Sequence, residues 1–160
     1  MEFDPNNPVV KLCTQGMDLE GIGQIEEAGK LFLQAWNEAI TDFEKFTAAH
    51  YVARHQKSVD DKLIWDEAAL QFAQKINNDT VKGSFPSLYL NLAKGYEDLN
   101  DYGLAMKNYQ LAISYISWLS DNGYGNMVKS AIQNGTERIS KYCASSKQNN
   151  NLRIKINENI

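Results

Sequence analysis

The chain has 160 residues, 43% of them hydrophobic and 22% charged, with a net charge of -4. That length can bury a substantial core without disulfides or metals, and the acidic balance speaks against general affinity for nucleic-acid phosphates. No apolar run approaches the roughly 18 residues of a membrane span, Met1–Pro5 lacks the regions of a signal peptide, and Cys13 and Cys143 in helical stretches are expected as free thiols, all of which suits a cytoplasmic protein.

The first helix is expected to start at Asn7-Pro8, because Asn accepts from orphan N–H groups and Pro suits the first helical position. Val9, Leu12, Cys13 and Leu19 keep helical spacing, and Gly21-Ile22-Gly23 breaks the pattern. A second stripe follows in Ile25, Ala28, Phe32, Ala35, Trp36 and Ala39. Thr41-Asp42-Phe43-Glu44 is a capping box that opens a third helix, which runs to about Gln56. Ser58–Asp61 caps a fourth, carrying Leu63, Ile64, Trp65, Ala68, Ala69, Phe72 and Ile76. A polar connection over residues 77–84 leads to Pro86, where the clearest stretch begins.

Residues 86–112 form two amphipathic patterns joined at Asn100-Asp101. Small residues Ala93, Ala105 and Ala112 fall where two helices must approach, and Tyr89, Leu92, Tyr96, Tyr102 and Tyr109 fill the space between them. The first two helices repeat this pattern: Leu12 matches Tyr89, Gly16 matches Ala93, Gly23 matches Asn100, Ala28 matches Ala105 and Phe32 matches Tyr109, each 77 positions on. Asp121-Asn122-Gly123 is a turn before a seventh helix over about 124–142 with Val128, Ala131, Ile132, Ile139 and Tyr142 on one face. Residues 145–160 are expected as a polar, flexible tail, within which Leu152–Ile156 alternates like a short strand.

On these residues the chain resembles a tetratricopeptide repeat (TPR) protein, built from 34-residue helix–turn–helix units. The 77-residue offset exceeds two such periods by nine, which a loop-extended middle unit absorbs. Gln15 and Ala93 depart from the usual Leu and Gly of their positions, and the usual terminal Pro is missing from each unit. The combination His50–Gln56, Leu63-Ile64-Trp65 and Pro86–Leu92 also resembles a group of small bacterial TPR proteins, some labelled rRNA adenine methyltransferases. The fold expected from the resemblance is all-α: a right-handed superhelix within residues 1–144, with repeats over 8–40, 41–77 and 86–119 and the seventh helix as a cap.

In TPR units the first helix of each pair lines the concave groove. By position, the resemblance places Met17, Glu20, His50, Arg54, Ser87, Asn91, Lys94 and Asp98 there. It implies a non-catalytic scaffold binding a protein segment or peptide, without cofactor, and with neither nucleic acid nor a membrane as partner. The competing structural reading is that Arg54 and His50 pair with nearby Glu or Asp, while His55 and Gln56 organise the following loop. Trp36, Trp65 and Trp118 lie in apolar stripes and are expected in the core, and Tyr124 beneath the closing helix.

Methyltransferase chemistry calls for a glycine-rich turn between strand and helix, and Gly21-Ile22-Gly23 lies between two helices. His50 and His55 are five positions apart, about 140° around a helix, and poorly placed to share a metal. No nucleophile–base pairing, P-loop or HExxH motif appears, so neither catalytic nor metal residues are assigned. A small-molecule sensor or enzyme using the His50/Arg54 neighbourhood is the alternative, and self-association through an uncapped edge a third reading.

Overall fold

The computed structural model describes residues 4–157, with side chains over residues 4–145. Seven α-helices make up the described chain: α1 (Pro8–Gly21), α2 (Ile25–Glu38), α3 (Asp42–Arg54), α4 (Val59–Lys75), α5 (Phe85–Asp98), α6 (Tyr102–Ser114) and α7 (Gly123–Asn157). Short 3-10 segments, Asp79–Ser84 and Ile116–Trp118, lie before α5 and after α6. The helices pack as sequential pairs, α1 on α2, α3 on α4 and α5 on α6, with α2–α3, α4–α5 and α6–α7 contacts joining them. The protein is all-α and consistent with a helical repeat. No described helix is long and apolar enough to cross a membrane.

Local sequence explains where the helices start. The Asn7 side chain accepts from the Val9 and Val10 N–H groups, satisfying two of the orphan donors at the end of α1. Both halves of the Thr41/Glu44 capping box form at α3. Glu44 also accepts from Asn7 Nδ2 at 2.7 Å, so the two caps tie the first pair to the second. The backbone N–H of Thr41, with further hydrogen bonds, holds the Glu44 carboxyl down at about 2.

The helix–helix turns carry the internal repeat in their backbone. Gly23 (φ 81) and Asn100 (φ 62) both adopt the left-handed conformation, and they are the pair matched by the 77-residue offset. At these turns the Gln24 N–H donates to Leu19 O and the Asp101 N–H to Tyr96 O, each at 2.9 Å. Such six-to-one bonds close a helix whose next residue is left-handed. Asn tolerates that region better than most residues with a Cβ.

Close approach explains the small residues. A Cβ on Gly16 would lie 2.3 Å from the Phe32 ring, and one on Gly135 would lie 2.2 Å from the Tyr109 ring. Phe32 and Tyr109 are fully buried and are likewise 77 positions apart. Gly135 of α7 thus meets α6 much as Gly16 of α1 meets α2. One core cluster gathers around Phe32, the other around Tyr109, and Trp36 and Trp65 pack against both. Their rings meet edge to face at 4.9 Å.

Three expectations change. Leu152–Ile156 belongs to α7 rather than to a strand, and α7 also takes in residues 145–151. Neither Pro nor Gly interrupts the chain between Gly135 and Asn157, so the helix can run on to Asn157, while a lone strand has no partner among the described residues. Trp118 is 44% exposed instead of buried, because α6 ends at Ser114 and the helical stripe ends with it; the Lys82 ammonium lies over its ring at 4.6 Å. Tyr124 is 52% exposed rather than covered by the closing helix, because it stands in that helix's first turn. Both cysteines are free; Cys13 is buried, which pushes its thiol up to about 12 and leaves it inert.

Candidate functional site

Side chains of α1, α3 and α5 line a shared cavity of about 390 Å³. Four of the eight expected groove residues line it: Met17 from α1, His50 and Arg54 from α3, and Ser87 from α5. Phe46, Tyr51 and Leu88 supply apolar wall, and Thr47 and Ser84 supply hydroxyls. Tyr124 reaches the rim from the first turn of α7. The volume lies toward the lower end of the range for small-ligand pockets, about 300–1,000 Å³.

Arg54 is not a free cation in this wall. Its Nη2 lies 2.9 Å from Glu20 Oε2, and the other Glu20 oxygen is 2.9 Å from His55 Nε2. Glu20 therefore contributes by fixing Arg54 and His55, and it is not itself among the lining residues. His55 packs on Phe32 at 5.0 Å, and Gln56 donates to Val52 O, so the end of α3 is held in place. Tyr51 stacks on Phe32 at 5.0 Å and lies under the Arg54 guanidinium.

His50 is the unsatisfied group. Its Nδ1 is buried and has no hydrogen-bond partner among the described residues. A buried polar atom in that condition costs about 1–3 kcal/mol. Burial, reinforced by the nearby Arg54 and Lys62 charges, pulls the imidazole pKa down from 6.5 to about 4, so it is neutral at pH 7. The hydroxyls beside it are already committed as donors: Thr47 Oγ1 donates to Phe43 O at 2.8 Å and Ser87 Oγ to Ser84 O at 2.9 Å. Their oxygens keep lone pairs as acceptors.

The remaining expected residues gather elsewhere. Asn91 and Lys94 line a second cavity of about 430 Å³, together with Asn134 and Arg138 of α7. Lys94 pairs with Asp98 one turn along α5, so Asp98 serves as its counter-ion. Asn91 Nδ2 donates to Asp66 Oδ1 at 3.3 Å, which makes Asn91 a bracket for α4 as well as a cavity wall. Asp66 is fully buried and also pairs with Lys62. Burial nevertheless raises its pKa above the ordinary aspartate value.

Two features of this second region were missed from sequence. Arg138 binds Glu97 through Nε at 2.8 Å and Nη2 at 2.9 Å, and Tyr109 donates to Glu97 Oε2 at 2.6 Å. Glu97 thereby joins α5, α6 and α7. The match of Tyr109 to Phe32 drew attention to the ring alone, although the phenol oxygen of Tyr109 marked a polar partner to be found.

Gly21-Ile22-Gly23 is a helix–helix turn, without the strand that a nucleotide-binding glycine turn requires. Among the described residues no group of three or more His, Cys, Asp or Glu is placed to hold a metal ion. No protein-family model matches the chain, and comparisons with the curated proteins and with the solved structures return no match.

Proposed function

We propose that the protein is a non-catalytic, TPR-type recognition scaffold that binds a segment of a partner protein along the face formed by α1, α3 and α5. The observation that carries this reading is the convergence of Met17, His50, Arg54 and Ser87, from three different helix pairs, on one solvent-open cavity. The repeated left-handed turn residues at Gly23 and Asn100 support the repeat character of the array. Apolar wall supplies affinity, and the polar groups select register. A segment lying on this face would bridge helix pairs whose main contacts are with their neighbours.

The test is affinity capture from native lysate, with cross-linking to locate the contact, using the wild type and Arg54→Ala. Cross-links should map to α1, α3 and α5, and the folded variant should recover less partner. Cross-links on the α2/α4/α6 side, with unchanged recovery by the variant, sink the assignment.

A further inference from the structure

We propose that the His50 cavity is a pocket for a neutral aromatic group bearing one hydrogen-bond donor, a phenol or an indole. Such a group can come from a tyrosine or tryptophan of a bound segment, in which case the inference rests on the scaffold reading above, or from a free small molecule. The inference depends on three properties of the wall: its shape, its acceptors and its charge balance.

Phe46, Tyr51 and Leu88 give the cavity apolar sides, and its 390 Å³ is ample for one or two fused rings. Thr47 and Ser87 have given their hydroxyl protons to backbone carbonyls, so they offer lone pairs to a guest. His50 adds a nitrogen that finds no partner within the described protein. In the tautomer protonated on Nε2, that nitrogen is a further acceptor. That nitrogen has almost no exposed surface as it stands, so a guest that brings a donor engages it through a turn of the imidazole toward the cavity.

Charge excludes the alternatives. The Arg54 guanidinium is matched by Glu20, both of whose oxygens are engaged. A carboxylate guest would compete with Glu20 for Arg54 and then face the displaced anion. An ammonium guest would sit beside Arg54, with no unpaired carboxylate among the lining residues. A neutral guest disturbs neither.

The experiment titrates the intact protein with p-cresol, 3-methylindole, toluene and 4-methylbenzoate, followed by amide NMR. p-Cresol and 3-methylindole should give saturable shifts at residues of the cavity wall and bind about tenfold tighter than toluene, a difference of about 1.4 kcal/mol. 4-Methylbenzoate should bind more weakly than p-cresol. His50→Phe should erase the preference for p-cresol over toluene. The ranking of the four probes on the wild type decides the matter even if that variant does not fold.

Blocked Gly-Tyr-Gly and Gly-Phe-Gly peptides distinguish the sources: a tyrosine preference matching that of p-cresol assigns the pocket to a side chain, and its absence assigns it to a free molecule. Saturable p-cresol binding by a protein that captures no partner supports the pocket and removes the scaffold reading. Partner capture with no probe saturation overturns the pocket alone, and so does tighter binding of 4-methylbenzoate than of p-cresol.

Discussion

Gly16→Ala isolates the packing that holds the first helix pair together. The new methyl carbon would fall 2.3 Å from Phe32 Cε1 and 2.7 Å from Cζ, well inside contact distance. Phe32 has little room to yield: it is fully buried, stacked on Tyr51 and tilted against His55, both at 5.0 Å. Overpacking of this kind costs about 1–3 kcal/mol. Ala in place of Gly returns up to ~1 kcal/mol through helix propensity. The net expectation is a loss of about 0–2 kcal/mol against the wild type, a fall in Tm of up to roughly 8 °C at this chain length, and about 1–3 kcal/mol against a control that gains the same propensity. Gly21→Ala is the control: it lies in the same helix with nothing within 4 Å of the added carbon, so it should be neutral or slightly stabilising. Urea unfolding followed by circular dichroism compares the two at equal m-value. If Gly16→Ala proves as stable as Gly21→Ala, the close α1–α2 approach is wrong. Because Tyr51 stands between Phe32 and the cavity, the wall should also shift, and amide NMR should show Tyr51 and Arg54 perturbed.

His50 gives a pH prediction of definite sign. Its folded pKa is lowered, so the unfolded chain binds more protons between pH 6.5 and about 4, and stability must fall as pH falls through that window. At about 1.4 kcal/mol per pH unit the full effect is about 3 kcal/mol. Urea midpoints at pH 7 and pH 4 should therefore converge in His50→Phe, relative to the wild type. Thr41→Ala removes the cap that Glu44 completes and should cost about 1 kcal/mol. With the Glu44 pKa held at about 2, the part of α3 stability that depends on its charge should persist above pH 4.5 and fade as pH drops toward 2, measurable by helicity. Arg138→Ala should cost at most about 1 kcal/mol, since the guanidinium is 52% exposed, but hydrogen exchange should quicken selectively in α7 near Val128–Ile139. Arg138→Lys should restore that protection only in part, because a single ammonium replaces a two-point contact with Glu97. Partner affinity should change little between low and physiological salt, and a steep salt dependence would show that an ion pair at the cavity opens on binding.

The order and type of the helices were legible because each left a periodic stripe bounded by chemistry: Asn7-Pro8, Thr41–Glu44 and Asp121-Asn122-Gly123 are all boundary signals that the structure uses. The left-handed Asn100 was readable only by alignment with Gly23, since Asn alone does not require that conformation. Leu152–Ile156 misled because five alternating residues fit a strand locally, while their actual state depends on continuity with the helix before them. Trp118 misled for a related reason: its spacing continues the stripe of α6, but the helix stops at Ser114. Half of the proposed groove gathers on one cavity because repeat position fixes which helix face a residue occupies. Lys94 meets Asp98 at a spacing of four within α5, which is periodic, but the pairing of Arg54 with Glu20 and of Arg138 with Glu97 depends on helix-to-helix register, and that is not.

Glu20, Glu97 and Asp98 show why this matters for recognition. Repeat position nominates Arg54 and Lys94 as cations for a groove, yet Arg54 is bound to Glu20 and Lys94 to Asp98, while Arg138 beside Lys94 is bound to Glu97. A ligand carboxylate would have to displace one of these anions, and exposed exchanges of that kind yield little net energy. In the wall of the first cavity the His50 nitrogen has no such prior partner among the described residues, and Thr47 and Ser87 keep lone pairs. On the proposed recognition reading, selectivity at this face comes from hydrogen-bond matching within an apolar pocket. The three cations that border these cavities, Arg54, Lys94 and Arg138, are each matched by a carboxylate of the chain itself.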